Sequence, residues 1–260
     1  MTSVQQFSAL ILAAGRGPDD VMAKAFNIPH KCLVPVGGVP MIKRVVGALN
    51  GASKIADISI CIDDPSVLPD ALGDTSDITV TKNANSAPSS VLSSIDQAKL
   101  QWPILVTTAD HALLTPEIVD DFLAKASQAK ADIAVGLASR ETIQARFPDT
   151  KRTYFPFSDV KVSGCNLFAL FNARALNAVS FWHQADQNRK KPWKIVGAFG
   201  VMPLINWAFG RLSLEAAFSG GSEKIGAQIA PVLLPFAEAA VDVDKPEDKE
   251  LVDKILANQV

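Results

Sequence analysis

Cysteine is scarce in this chain, and its three thiols, Cys32, Cys61 and Cys165, stand far apart with no CxxC pair or other metal-ligand spacing. That excludes a zinc ribbon or a disulfide framework and predicts three packing residues in a reducing cytoplasm. There is no excess of charge: 25 Lys and Arg face 27 Asp and Glu, a formal net charge of -2. No overall basic field therefore favours nucleic acid. No apolar run reaches the roughly 18–20 residues needed to span a bilayer. The first residues, Met1-Thr2-Ser3-Val4-Gln5-Gln6-Phe7, carry no basic or long apolar segment, so neither a signal peptide nor stable membrane insertion is expected. Internal repeats, low-complexity tracts and charge blocks are also missing. What remains is a cytoplasmic globular protein.

With 260 residues, 48% of them apolar, the chain can bury a large core as one domain, with or without an inserted lobe. Short apolar runs at 7–13, 58–62, 78–81, 104–108 and 132–137 read as strands. They alternate with helical patterns at 40–49, at 89–100 and from Pro116 to 126, the last with Thr115 as N-cap. This alternation predicts an α/β fold, a mostly parallel Rossmann-like sheet with helices on both faces. The texture changes between about 139 and 226, where we place an inserted acceptor-binding lobe within a single domain spanning 1–260. The strand pattern is expected to resume at 239–243, followed by a terminal helix at 246–257.

The first strand runs into Leu12-Ala13-Ala14-Gly15-Arg16-Gly17. Small residues at the carboxyl edge of a parallel sheet let successive backbone N–H groups form an anion-binding concavity. Taken alone, a structural turn explains the loop equally well; it is neither a P-loop, lacking GK[ST], nor a full GxGxxG. A lysine follows in His30-Lys31-Cys32-Leu33-Val34-Pro35-Val36-Gly37-Gly38-Val39-Pro40-Met41-Ile42. Together these segments resemble the N-terminal signature of the nucleotide-diphospho-sugar transferase (GT-A-like) superfamily, closest to its molybdopterin-guanylyltransferase-like and cytidylyltransferase branches. The resemblance implies that Leu12, Ala13, Ala14, Gly15 and Gly17 wrap nucleotide phosphates. It implies that Lys31, with Arg16, neutralises charge around the α-phosphate. One departure stands out: where the superfamily keeps a GxGxR arginine, this chain has Gly17-Pro18-Asp19-Asp20. Arg16 or Lys24 could supply the charge, but Asp19 and Asp20 would repel phosphate unless a cation intervened.

Thr108-Ala109-Asp110-His111-Ala112-Leu113-Leu114-Thr115 resembles the superfamily segment whose first aspartate binds Mg²⁺, with Ala112 in place of a common proline. His111 reads as a turn residue or as a ligand or base. Asp242-Val243-Asp244-Lys245-Pro246-Glu247-Asp248 resembles the closing segment that brings the second carboxylate. If these residues form a strand, Asp242 and Asp244 share a side and either could reach the metal. Asp248 reads as a first-turn helix acid. The resemblance implies a Mg²⁺-dependent nucleotidyltransferase that joins a nucleoside triphosphate, CTP or similar, to a small sugar, polyol or alcohol phosphate. The acceptor's phosphate oxygen attacks, pyrophosphate leaves, and no protein nucleophile is needed. Asn83, Ser86 and Ser89 fall where a nucleobase loop is expected, though a capped turn, with Ser89 as the N-cap of the helix that follows, would look the same. Lys161 and Asn166 are candidate acceptor contacts, by a looser match. The stretch Arg189-Lys190-Lys191-Pro192-Trp193-Lys194, after Phe181 and Trp182, reads either as a solvated helix end or as a contact for an acidic acceptor or a membrane surface. Two alternatives remain: a GT-A glycosyltransferase, although Thr108-Ala109-Asp110 lacks the first aspartate of D-x-D, and a non-catalytic nucleotide-binding regulator. A homodimer is left open.

Overall fold

The strand β1 (Phe7–Leu12) has all six residues buried, the signature of a parallel strand covered on both faces. The computed structural model of the protein describes residues 5–15, 19–148, 150, 152–186 and 201–258. After β1 come α1 (Val21–Ala25), a hairpin of β2 (Pro35–Val36) and β3 (Val39–Pro40), and α2 (Met41–Gly51). Next are β4 (Ile55–Ile62), α3 (Leu68–Leu72), β5 (Ile78–Lys82), α4 (Ala87–Gln97), β6 (Ile104–Thr108) and α5 (Pro116–Gln128). They are followed by β7 (Ile133–Ser139), α6 (Arg140–Arg146), β8 (Phe155–Pro156), β9 (Lys161–Leu170) and α7 (Ala175–Asp186). The chain continues with α8 (Val201–Ala208), α9 (Leu214–Ile225), β10 (Ile229–Leu234) and α10 (Pro246–Ala257).

Among the described residues one eight-stranded sheet runs β10-β7-β9-β6-β1-β4-β5, with β8 paired on β9. The pairs β1–β4, β1–β6, β4–β5 and β7–β10 are parallel, and β9 alone runs against β6 and β7. The α/β class expected from the sequence is therefore the observed one. Among the described residues the stretch 139–226 holds β8 and the four helices α6 to α9, and it also supplies β9 to the middle of the sheet.

Alternate side chains go to opposite faces. Ile11, Ile60, Phe122 and Leu167 build a core beneath α2 and α5, whereas Leu10, Ile104, Leu170 and Val179 build one beneath α4 and α7. Full burial of such a Leu, Ile or Phe is worth roughly 1.5–3 kcal/mol each. A third cluster, with Met22, Val36, Met41, Val243 and Val252, fastens α10 to the β2–β3 hairpin.

Two local expectations are corrected. Residues 239–243 form no strand: a 3-10 turn spans Ala237–Ala240, and the last sheet strand is β10. A short buried apolar run reads alike as strand or packed turn, and Pro231 obscures β10 because only an edge strand accommodates proline. The N-cap of α4 is Ser86, whose hydroxyl accepts from the Ser89 amide, and not Ser89 itself. Thr115 caps α5 as expected. No helix among the described residues is long and apolar enough to cross a membrane.

Candidate active site

The strand order turns around at β1, with β4 and β5 on one side and β6 on the other. Open α/β sheets bind ligands at the carboxyl ends flanking such a reversal. There the Ala13 N–H donates to Cys61 O (2.8 Å) and the Ala109 N–H to Leu12 O (2.9 Å). The Gly15 N–H donates to Asp63 Oδ1 at 2.8 Å. His30 Nδ1 accepts from the Cys32 backbone N–H (3.2 Å), which leaves Nε2–H to donate to the same Asp63 oxygen at 3.0 Å. Burial pulls the Asp63 pKa up, but these two donors outweigh it and hold the carboxyl below its usual range. A Cβ on Gly15 would stand 2.9 Å from His30 Nε2, so the backbone passes there only as glycine. Neither His30 nor Asp63 figures among the site residues expected from sequence, although one adjoins Lys31 and the other ends β4.

Arg16 and Gly17 lie outside the described residues. The two acids that follow are accounted for locally. Asp20 is buried and caps α1 by accepting from the Met22 and Ala23 amides at 2.9 and 3.1 Å. Asp19 pairs with Lys24 at 2.6 Å on the surface. Neither charge is left unpaired toward the loop.

Lys31 occupies a 3-10 turn whose entry His30 caps. Its ammonium lies 2.6 Å from Asp110 Oδ2 and 2.7 Å from Asp244 Oδ1. Burial lowers its pKa, but the two carboxylates more than reverse this and raise it. Thr108 Oγ1 donates to Asp110 Oδ1 at 2.6 Å, fixing the carboxylate plane. The Val243 N–H donates to Asp110 O at 3.1 Å and ties the late segment to the end of β6. Asp248 Oδ2 accepts from the Asp244 and Lys245 amides at 3.1 and 3.0 Å, so it shapes the turn that presents Asp244. A cavity of about 30 Å³ lies between Leu12-Ala13-Ala14, Lys31 and Asp110.

Asp242 and Asp244 do not share a strand face; they lie in the irregular link before α10. Asp242 pairs with the Arg152 guanidinium, which also donates to Asp242 O at 3.3 Å. Burial raises the Asp242 pKa; Arg152 opposes this, while Asp110 and Asp244 add to it. Arg152 comes from a broken polar segment that carries no motif, and the sequence reading passed it over. His111 is fully buried, neither ring nitrogen has a partner among the described residues, and burial pushes its pKa down to about 4.

The other candidates lie apart from this cluster. Ser86 and Ser89 hydroxyls sit 3.0 and 3.3 Å from His183 Nδ1, and Asn83 is half-buried on the same loop. Lys161 opens β9 opposite Pro156. Asn166, at φ +50°, sits where the β7–β9 register shifts, a conformation asparagine tolerates better than most residues. The basic stretch 189–194 lies outside the described residues.

Residues 9–193 match the MobA-like NTP transferase domain. The chain belongs to this family. The protein is accordingly a nucleotidyltransferase, and the matched span carries the β1 loop, Lys31 and Asp110, while Asp244 lies beyond it. A hypothetical transferase from Thermus thermophilus is 28% identical over 94% of this chain and 100% of its own, with a TM-score of 0.77. A CMP:2-keto-3-deoxy-manno-octonic acid synthetase solved with CTP superposes with a TM-score of 0.60 at 14% identity, over 98% of this chain and 100% of that one. The 4-diphosphocytidyl-2C-methyl-D-erythritol synthase of Anaerococcus prevotii gives 0.58 at 12% identity, over 97% and 99%. At such identities these last two show the fold alone. No curated protein matches the chain in sequence.

Proposed function

We propose that this family member transfers the nucleoside monophosphate of a triphosphate, CTP foremost, to a phosphorylated small-molecule acceptor. The observation that carries this reading is the Lys31 ammonium held between Asp110 and Asp244 beside the β1 loop. In the reaction an acceptor phosphate oxygen bonds to the α-phosphorus, the bond to the bridging oxygen breaks, and pyrophosphate departs. Lys31 turns from its carboxylates toward the α-phosphate oxygens as their charge grows, and of the β1 loop amides Ala14 is the one left for the same phosphates, since those of Ala13 and Gly15 are bonded to Cys61 O and Asp63. No side chain is needed as nucleophile. Burial, reinforced by Asp63, pushes the Cys32 thiol up to about 12, and burial also raises that of Cys165, so neither supplies a thiolate.

Asp110 and Asp244 fit Mg²⁺, which takes one or two carboxylates and completes its shell with phosphate oxygens and water. Among the described residues no three His, Cys, Asp or Glu side chains form a metal cage unaided. When bound, Mg²⁺ offsets the charge of the phosphates. Asp242 is the weaker candidate ligand because Arg152 already holds it. On this reading the loop that carries Asn83, Ser86 and Ser89 faces the base, with Asn83 the side chain that reads it. The 139–226 lobe of a single domain, with Arg152, Lys161 and Asn166, faces the acceptor, and the protein works in the cytoplasm. CTP is favoured because the fold neighbours include cytidylyltransferases, one solved with CTP.

The test is pyrophosphate release from the four triphosphates against sugar, polyol and alcohol phosphates with Mg²⁺. At least one pair should turn over, and Lys31→Ala should slow it roughly 10²–10³-fold. A protein that binds nucleotide but releases no pyrophosphate with any acceptor defeats the reading.

A further inference from the structure

A second and much larger cavity, about 350 Å³, lies on the other face of the sheet, away from the Lys31 cluster. Its floor includes Val106 of β6, Ile133 of β7 and Phe168 of β9, and its walls include Trp182 of α7, Trp207 of α8 and Phe218 of α9. Trp182 stacks on Phe168 with ring centroids 5.0 Å apart. Its lining side chains among the described residues are all hydrocarbon, aromatic or glycine. A base, a sugar or a peptide backbone placed there would lose its hydrogen bonds to water and find few in exchange among the described residues. A space of this kind suits a ligand segment with no polar atoms.

One end of this cavity lies toward the catalytic edge. Phe155 lines it and is 54% exposed. Phe155 pairs with Val162, and Val162 with Ser139, the last residue of β7. Because β9 runs against both its neighbours, β7 ends at the same sheet edge as β1 and β6, where Lys31 and Asp110 meet. Three residues before Phe155 stands Arg152, paired with Asp242. A molecule with its phosphate at the Lys31 cluster and its tail past β8 would place only hydrocarbon in the cavity. The surface beside it suits such a ligand: Ile205 of α8 and the following Phe209 are both exposed, and large apolar side chains left in water together mark contact with an apolar partner.

We propose that the acceptor is an amphiphilic, lipid-class phosphate whose single hydrocarbon chain occupies this cavity; the proposal rests on the nucleotidyltransferase reading above. The test uses straight-chain alkyl phosphates of two to sixteen carbons and, as a separate arm, farnesyl phosphate, to distinguish an acyl-type from an isoprenoid chain. Binding is read by quenching of Trp182 and Trp207 with brominated alkyl phosphate, and acceptor use by pyrophosphate release. Affinity and kcat/KM should rise roughly fourfold per added methylene until the cavity is full and then level off. Ala217→Phe and Ala178→Phe, which fill the cavity, should weaken the long-chain phosphate at least tenfold. A melting temperature at or above wild type establishes that each variant is folded. If neither folds, competition by a long-chain alcohol against the brominated probe on the wild-type protein replaces them.

Absence of quenching and of chain-length dependence, in a protein that does use a short phosphate, overturns the proposal and leaves the nucleotidyltransferase reading standing. Undiminished long-chain binding in a folded filling variant overturns it too. Quenching without pyrophosphate release from any phosphate removes the acceptor role and the function reading with it, leaving a hydrocarbon-binding cavity of other purpose.

Discussion

Lys31 and Asp244 are 213 positions apart in the chain and 2.7 Å apart in space. That contact, with Asp110 as the third member, closes the end of the chain over the phosphate loop at its beginning. Removing the lysine takes away the cation that both carboxylates contact. Lys31→Ala should lower kcat for pyrophosphate release by roughly 10²–10³-fold, the usual cost of losing one preorganised charge-stabilising donor. Lys31→Arg should restore part of it. Steady-state kinetics under saturating triphosphate checks both, and activity near wild type in the alanine variant would refute the assignment.

The two late aspartates should separate by phenotype. Asp244→Asn and Asp110→Asn are expected to raise the Mg²⁺ concentration needed for half-maximal rate while leaving the melting temperature nearly unchanged. Asp242→Asn leaves the Arg152 guanidinium, 12% exposed, short of its partner, which costs roughly 1–3 kcal/mol. Urea unfolding measures it. If Asp242→Asn shifts the Mg²⁺ requirement and Asp244→Asn does not, the two roles are exchanged.

The parts of this site legible in the sequence are those carried by short local segments. The β1 loop, Lys31 and Asp110 lie in runs whose residue types and order suffice to place them, and the β–α alternation gave the fold class. What could not be read depends on distant contacts. Arg152 is one charged residue in a polar stretch until folding sets it against Asp242. Asp63 closes a strand, and only the structure shows it accepting from both Gly15 and His30. Asp20 looks like a liability beside a phosphate loop until α1 forms and uses it as a cap. A strand is expected at 239–243 and not at 229–234, where it forms, because both are short apolar runs and the proline lies in the true strand.

Asp63 has its pKa depressed in the folded protein, so the stability it contributes is present above the ordinary carboxylate pKa of about 3.9 and disappears as pH falls through the folded value. Wild type should therefore exceed Asp63→Asn in stability at pH 6, and the gap should close as the pH approaches 3. Chemical unfolding across that range measures it. A gap independent of pH would mean that the carboxylate charge plays no part in holding Gly15 and His30.

The thiols offer a test of the fold independent of activity. Cys32, Cys61 and Cys165 are each at most 2% exposed, and burial holds the Cys32 and Cys165 thiols protonated. None should react with an aromatic disulfide reagent at pH 8 in the native protein, and all three should react in denaturant. Rapid native labelling of Cys32 would show that the Lys31 turn opens freely.

On the nucleobase side Ser86 is already committed: its hydroxyl accepts from the Ser89 amide at 3.3 Å and meets His183 Nδ1 at 3.0 Å. Asn83, half-buried on the same loop, makes no side-chain hydrogen bond among the described residues, and its amide can both donate to and accept from a base edge. Ser86→Ala should therefore cost about 1 kcal/mol of stability through the lost cap, with nearly unchanged preference among triphosphates. Asn83→Ala should leave the melting temperature in place and flatten that preference. Titration of each variant with CTP, UTP, GTP and ATP separates the two effects. Should Ser86→Ala erase base preference while Asn83→Ala retains it, the hydroxyl reads the base and the cap is incidental.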